Sequence, residues 1–378
     1  MSSVVIAGYV RSPFQPARKG ELVRTRPDDL AAQVVRALVE RTGVQATDIE
    51  DLILGCAFPE GEQGINIGRI VSILADLPLS VAGMTVNRFC GSSMQSVHIA
   101  AGAIQMGAGE AFICAGVESM TRVPMGGFNP MPNPGLYKKR PGVYMDMGIT
   151  AENVAKKYEI TRDQQEQFAL RSQNRTRDAI SAGRLSDEIV SIPTPNGAVT
   201  KDGCPRPETT AEGLAGLRPA FDAAGTVTAG TSSPLTDGAA AVLICSEDYA
   251  DRNGLEKMAR IRSIAVSGCE PEIMGIGPVQ ATRKALARAG IGIEDLGVVE
   301  LNEAFASQSL ACIRELGLRD DIINIDGGAI ALGHPLGATG ARITGKAAQL
   351  LKRENARYAL ATQCIGGGQG IATIMERI

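Results

Sequence analysis

Four short stretches of the chain carry residues whose types and spacing could do chemistry. In Thr85-Val86-Asn87-Arg88-Phe89-Cys90-Gly91-Ser92-Ser93-Met94-Gln95, a cysteine ends a strand-like run and a Gly-Ser-Ser turn opens a helix. A thiol placed there faces free N–H groups and the positive end of the helix dipole, which favour thiolate. A strand–helix turn also exposes a nucleophile well; a buried structural cysteine is the competing reading. In Ala361-Thr362-Gln363-Cys364-Ile365-Gly366-Gly367-Gly368, a second apolar strand runs into a cysteine and a glycine cluster. Backbone N–H groups from Gly366 to Gly368 can face an oxyanion. A phosphate-cradling loop is the rival, and no Lys-Ser/Thr pair follows to support it. Asn302, after the strand Val298–Glu300, could hydrogen-bond a water or a carbonyl, or simply cap a helix.

The chain has two histidines. His98 falls eight positions after Cys90, about 12 Å away along a helix axis, too far to be its partner. His334 lies in the apolar run Gly327–Arg342, whose glycines at 327, 328, 333, 337 and 340 imply positive φ angles or close backbone approach. An imidazole held by such a backbone is a candidate general base, and a satisfied histidine in a tight turn is the alternative. A Cys–His pair, a second cysteine and a glycine-rich N–H cluster together describe acyl transfer through a thioester.

These residues must be positioned by alternating strands and helices. Strand-like runs at Val4–Ala7, Ile49–Gly55, Met84–Phe89 and Ala111–Ala115 alternate with helical patterns at 27–42, 64–77 and 92–106. The segment 119–148 is rich in Pro, Gly and Met and reads as an irregular excursion. Two polar helices follow over 151–182, with Thr161 as a cap, then a mostly looped stretch to 235. From about Arg260 the first half recurs in order, with chance similarity between two α/β units as the competing reading. Arg36-Ala37-Leu38, Gly43 and Ile49-Glu50-Asp51-Leu52 are echoed by Lys284-Ala285-Leu286, Gly290 and Ile293-Glu294-Asp295-Leu296. Alternation of this kind implies parallel strands, with the site in a crevice at their carboxyl ends, fed by loops from both halves.

The net charge is −3, and no strongly basic run exists beyond Lys138-Lys139-Arg140, so there is no footprint for nucleic acid. No apolar run approaches the ~20 residues of a membrane span, and the first residues lack the pattern of a signal peptide. The eight cysteines contain no C-x-x-C pair, which argues against zinc or a disulfide framework and for a reducing cytoplasm.

At this point the residues resemble a known family. Val86–Gln95, Asn302-Glu303-Ala304-Phe305, Gly327–Pro335 and Cys364–Gly368 are similar, in order and over the whole chain, to the motifs of thiolases. The resemblance implies an α/β thiolase fold: two similar βαβαβαββ halves stacked as a layered α/β/α/β/α core, with an inserted loop domain. Its boundaries are expected at 1–118, 119–248 and 249–378. It implies Cys90 as the acylated nucleophile, His334 as the base that activates it, and Cys364 as the acid/base acting on the other thioester. It implies Asn302 as the holder of an oxyanion-hole water, and the N–H groups of Cys90 and Gly366 as a second oxyanion hole. Glu303 lies in the motif without an assigned step. Arg206 and Ser233 resemble residues near the nucleotide and pantetheine of coenzyme A. Met147, Met274 and Phe305 resemble apolar residues at the thioester end, a position that packing alone also explains.

Coenzyme A is then a co-substrate, with no permanently bound cofactor and no metal. Its acyl-CoA thioesters are the other ligands, and a homodimer or a tetramer built from two dimers is expected. A β-oxidation partner carrying hydratase and dehydrogenase activities has no independent mark in the sequence. Short-chain biosynthetic members tend to carry His where this chain has Asp146, and Cys-Gly-Ser-Ser-Met-Gln resembles the β-oxidation branch. The expected activity is thiolysis of 3-ketoacyl-CoA. The alternatives are an acetyl-CoA acetyltransferase condensing two acetyl-CoA and a silent CoA- or lipid-binding relative; no catalytic residue is missing to mark the latter. Lys201–Pro207 and Thr231, where Asn is common, depart from the family pattern beside the CoA and acyl pocket.

Overall fold

The computed structural model describes residues 2–378. In the first half, strand β1 (Val4–Arg11) leads to helix α1 (Pro27–Thr42), β2 (Ile49–Gly55), α2 (Ile67–Leu74), β3 (Ala82–Val86), α3 (Ser92–Gln105) and β4 (Ala111–Ser119). The excursion carries α4 (Met147–Lys157) and α5 (Arg162–Ser181) before β5 (Thr236–Ser246). The second half repeats the order: β6 (Ala259–Gly268), α6 (Gly277–Ala289), β7 (Leu296–Leu301), α7 (Ala306–Leu316), α8 (Leu336–Arg353), β8 (Tyr358–Ile365) and β9 (Gln369–Glu376).

The repeat read from the sequence is visible in the backbone. Gly43 ends α1 at φ +69 and Gly290 ends α6 at φ +70, so both helices stop in the left-handed conformation that glycine adopts without cost from a Cβ. Each half places its strands alike: β1–β5–β4–β2–β3 in the first, β6–β9–β8–β7 in the second. A parallel bridge from Val299 to Ile323 stands where the first half has β3. Each half holds a corresponding parallel pair, β2 with β4 and β7 with β8. The halves join edge to edge where Val5 and Ile6 pair with Arg260 and Ala259, which makes one ten-stranded ladder once Gln15–Pro16 is counted against β5.

Three apolar layers follow from this arrangement. α1 and α2 cover one face of the first half through Leu30, Val34, Val35, Leu38 and Val71. α6 and α7 cover the second half through Val279, Ala285, Leu286, Cys312 and Ile313. Between the halves, Met94, Val97 and Ile104 of α3 meet Ile343, Ala347 and Leu351 of α8. The expected α/β/α/β/α layering is therefore present, with α3 and α8 as its central layer.

β5 lies within the span 119–248 yet pairs between β1 and β4, so the irregular excursion runs between Ser119 and Thr236. α5 begins with the capping box expected at Thr161, whose side chain takes the Gln164 N–H while Gln164 returns to the Thr161 N–H.

Candidate active site

Cys90 sits in the tight turn between β3 and α3. Phe89, the residue before it, has φ +42, a backbone state that a non-glycine residue keeps only when its neighbours impose it. They do so here. The Asn87 carboxamide accepts the Phe89 N–H at 2.8 Å, and Ser92 Oγ accepts the Arg88 N–H at 2.9 Å while donating to the Phe89 carbonyl at 2.6 Å. The Arg88 guanidinium reaches Gln95 and Gln369 at 2.9 and 2.7 Å, tying the turn to both halves. The thiol is buried, and burial pushes it up to about 11 although the N–H groups of Gly366 and of Cys90 itself pull the other way. Burial thus works against the thiolate that the helix end favours. Helix-end N–H groups are present, but desolvation outweighs them.

His334 ends a backbone that only glycine permits at two points, Gly327 at φ +89 and Gly333 at φ +99. A Cβ at Gly333 would stand 2.7 Å from Thr236 Oγ1 and 3.0 Å from Cys204 Sγ. Gly337 and Gly340 differ from these, because they lie inside α8 and serve close approach instead. The His334 N–H donates to Thr236 Oγ1 at 3.0 Å. Its Nδ1 lies 2.6 Å from Thr339 Oγ1, and that hydroxyl lies 3.0 Å from the Pro335 carbonyl. With the hydroxyl proton on the carbonyl, Nδ1–H donates to Thr339 and Nε2 keeps its lone pair. Nε2 in turn lies 3.3 Å from the Asn302 carboxamide nitrogen. Burial lowers His334 to about 3, so the imidazole is neutral.

Asn302 follows β7, and its N–H is held by the Thr362 carbonyl at 3.0 Å. Its Oδ1 is buried without a partner, an acceptor available to a water or a substrate group. Next to it Glu303 accepts from Ser172 Oγ at 2.6 Å, Asn324 Nδ2 at 2.7 Å and the Ile330 N–H at 3.2 Å. Its place is to hold the loop before His334, a role the motif alone did not give.

Cys364 is fully buried on β8. Burial first, and the neighbouring Cys90 sulfur second, push its thiol well above the ordinary range, so it holds its proton. One residue back, the Gln363 carboxamide donates to the Cys90 carbonyl. Cys90, His334 and Cys364 line one predominantly apolar cavity of about 430 Å³. Arg206, Ser233, Met147, Met274 and Phe305 line the same cavity, so all five residues expected near coenzyme A are brought to it. Ser233 is fixed there by its N–H and hydroxyl on the Ala304 carbonyl, at 3.0 and 3.2 Å. Asp146 also lines it and caps α4 by accepting the Gly148 N–H at 2.8 Å. The unusual stretch Lys201–Pro207 is anchored by Asp202, which binds Arg11 at 2.7 and 2.8 Å.

Glu118 was not singled out from the sequence. It is buried at the end of β4, where it accepts the N–H groups of Ala57 and Gly337 at 2.8 Å and the Gln63 carboxamide at 2.9 Å. A carboxylate ending a wholly apolar strand was the available signal. His98 is a core residue whose Nε2 meets Thr373 Oγ1 at 2.9 Å. Among the described residues no metal-binding group of three His, Cys, Asp or Glu comes together, all eight cysteines are free, and no helix is long and apolar enough to cross a membrane. What remains is a neutral imidazole, two protonated thiols and N–H donors around one apolar cavity, a set suited to thioester chemistry.

Comparison with known proteins agrees. A family model described as "Thiolase, N-terminal domain" matches residues 4–248, and one described as "Thiolase, C-terminal domain" matches residues 255–377. The chain is 46% identical to a 3-ketoacyl-CoA thiolase of Bacillus subtilis (strain 168), over the full length of both. It is 48% identical to a protein of the same name from Idiomarina loihiensis and 50% to one from Shewanella frigidimarina, again over the full length of both chains.

Proposed function

The chain belongs to the thiolase family, and from that premise we propose that it cleaves 3-ketoacyl-CoA with coenzyme A to give acetyl-CoA and an acyl-CoA shortened by two carbons, as in fatty-acid β-oxidation. The observation that carries this is the convergence of Cys90, His334 and Cys364 on one apolar cavity, with the Gly366 N–H directed at the Cys90 sulfur.

The roles are those the thiolase resemblance implies, and a neutral imidazole beside protonated thiols is compatible with them. His334 Nε2 takes the Cys90 proton as the sulfur bonds to C3 of the substrate. The C2–C3 bond then breaks, and its electrons form the enolate of acetyl-CoA. Cys364 gives its proton to C2, and acetyl-CoA leaves. The Cys364 thiolate takes the proton of an incoming coenzyme A thiol. That sulfur attacks the acyl-Cys90 thioester, the shortened acyl-CoA departs, and His334 returns its proton to Cys90. Asn302 serves the enolate oxygen, directly or through a water on its free Oδ1, and the Cys90 and Gly366 N–H groups serve the oxygen on C3. Each such donor is worth roughly 3–4 kcal/mol of barrier in comparable sites.

Expected partners are the substrates and a second copy of the chain. The exposed Ile65, Leu79 and Phe89 near the sheet edge at β3 support a homo-oligomer. The cytoplasmic reading rests on the cysteine pattern. Thiolysis measured across 3-ketoacyl-CoA lengths tests the function. Turnover is expected on chains longer than acetoacetyl-CoA, and activity confined to acetoacetyl-CoA would assign the chain to acetyl-CoA condensation instead.

A further inference from the structure

Helix α8 follows the base directly and carries buried charges in its middle. Thr339, whose hydroxyl meets His334 Nδ1, lies in its first turn. One and two turns further on stand Arg342 and Lys346, both buried and four residues apart, hence on one face. The Arg342 guanidinium donates to Glu300 Oε2 at 2.8 Å, and Glu300 lies on β7 two residues before Asn302. The Lys346 ammonium meets Asp326 at 2.8 Å and Glu188 at 3.0 Å. Asp326 immediately precedes Gly327, where the run to His334 begins, and Arg342 also reaches the Gly327 carbonyl at 3.5 Å. Glu188 belongs to the irregular excursion. Two side chains of one helix are thus tied to the strand that leads to Asn302, to the loop that leads to His334, and to the inserted segment.

Such a cluster is a poor source of stability, because taking charges out of water offsets most of what their attraction returns. The best-attested use of buried polar groups is to fix register. α8 is a helix that needs such a tie. Between Leu336 and Leu350 its only large apolar side chain is Ile343. Gly337, Gly340 and Gly345 let it press on the backbone of Gly55 and Met94 and on the Tyr9 ring. Contacts of this kind set how far the helix stands from its neighbours. They offer few ridges to stop it sliding along its own axis. Carboxylates on three other segments hold Arg342 and Lys346 at fixed points along that axis.

We propose that Arg342 and Lys346 are positioning residues that fix the axial register of α8, and through it the placement of Thr339 and His334 against Cys90. This rests on the thiolytic reading of the site and adds to it how the base is held in place. A slide of ~1 Å along the axis is enough to matter, since a misplacement of that size costs on the order of 100-fold in rate. Substrate binding is not expected to follow the slide. Arg206, Ser233, Met147, Met274 and Phe305 line the cavity from other segments.

The test compares the wild type with Lys346→Met and with the paired change Arg342→Met and Glu300→Leu. Neither leaves a carboxylate of the cluster alone. Without Lys346, Glu188 keeps Arg11 at 2.7 Å and Asp326 keeps Arg184 at 2.8 Å; the paired change removes both partners together. Thiolysis of acetoacetyl-CoA and 3-ketohexanoyl-CoA gives kcat and KM, with kcat counted per Cys90 acylated in the absence of coenzyme A, so that misfolded protein does not enter. Urea midpoints give stability. In both variants kcat is expected to fall about tenfold or more while KM stays within about twofold. The urea midpoint is expected to stay near that of wild type, or above it in the paired variant. A merely structural role would lower the midpoint and leave kcat per acylated site intact. A kcat within about twofold of wild type in either variant would overturn the proposal for that residue. A KM that rises as far as kcat falls would mean a disturbed cavity and would overturn it for both, as would failure of both variants to fold, since the ions would then supply stability rather than register. A wild type that acylates Cys90 with neither substrate would overturn the thiolytic reading itself.

Discussion

The contact between α3 and α8 makes a prediction whose sign depends on geometry rather than on propensity. A Cβ placed on Gly340 would stand 2.2 Å from the backbone nitrogen of Met94 and 2.9 Å from its Cα. Van der Waals contact needs about 3.5 Å, so the two helices must separate by roughly 1 Å. Met94 is fully buried and the obstructing atoms are backbone, so no side-chain rotation relieves the clash. Overpacking of this kind costs about 1–3 kcal/mol, and a backbone clash belongs at the upper end. Replacing glycine by alanine inside a helix returns about 1 kcal/mol. Gly340→Ala is therefore expected to lose about 1–2 kcal/mol. Gly102 is the control: it lies inside α3, and a Cβ there meets nothing within 4 Å. Gly102→Ala should gain about 0.5–1 kcal/mol. Urea midpoints followed by far-ultraviolet circular dichroism compare the two variants with wild type. The effect should extend to catalysis, because α3 follows Cys90 and α8 carries Thr339, which orients His334. A misplacement of ~1 Å costs on the order of 100-fold in rate. If Gly340→Ala matched Gly102→Ala in stability and kept the wild-type kcat, the close helix contact would not be what sets the distance between base and nucleophile.

Two further outcomes concern the site directly. With Cys90 raised to about 11 and His334 lowered to about 3, neither titrates near neutrality in the free enzyme. The rate of Cys90 alkylation by iodoacetamide, followed by peptide mass spectrometry, should thus climb about tenfold per pH unit from 7 to 9. A plateau below pH 8 would mean a preformed thiolate–imidazolium pair. Thr339→Val removes the hydroxyl at His334 Nδ1 and strands a buried N–H, so kcat for thiolysis should fall roughly 10- to 100-fold. Unchanged kcat, with Thr339→Ser also at wild-type level, would remove Thr339 from the orientation of the base.

Much of this was legible because local signals agreed. The strand–turn–helix around Cys90 is written in Asn87, Gly91 and Ser92, and the Asn87 and Ser92 side chains hold the turn. Thr161 and Gln164 are three apart, the spacing of a capping box, and form one. What was hidden depends on neighbours remote in sequence. The helix-end rule favoured a Cys90 thiolate, but Met120 and Leu336, which help to desolvate the thiol, come from other segments. The glycines of 327–342 read alike, yet Gly327 and Gly333 take positive φ while Gly337 and Gly340 sit in a helix pressed on backbone. The apolar run predicts a strand over Ala111–Ala115, short of the polar Glu118 and Ser119. It continues because both are paired, Glu118 by N–H groups from two other segments and Ser119 by Gln63 and Asp237.

The repeat also explains why Cys90 and His334, the proposed nucleophile and base, line one cavity. Cys90 stands just before α3 and His334 just before α8, the corresponding central helices of the two halves, so duplication presents two helix starts to one crevice. Each is braced by the opposite half, from the strand that follows the other half's central helix. Glu118 at the end of β4 takes the Gly337 N–H in the first turn of α8, and Gln363 near the end of β8 donates to the Cys90 carbonyl before α3. The two braces are equivalent in place but opposite in sense, one accepting an N–H and the other donating to a C=O. A carboxylate suits the helix start where donors are free. A carboxamide suits the other, since it fixes the Cys90 carbonyl without setting a negative charge beside the nucleophile. The symmetric scaffold thus brings the groups together, and the differences between its halves suit one of them to the proposed role of base and the other to that of nucleophile.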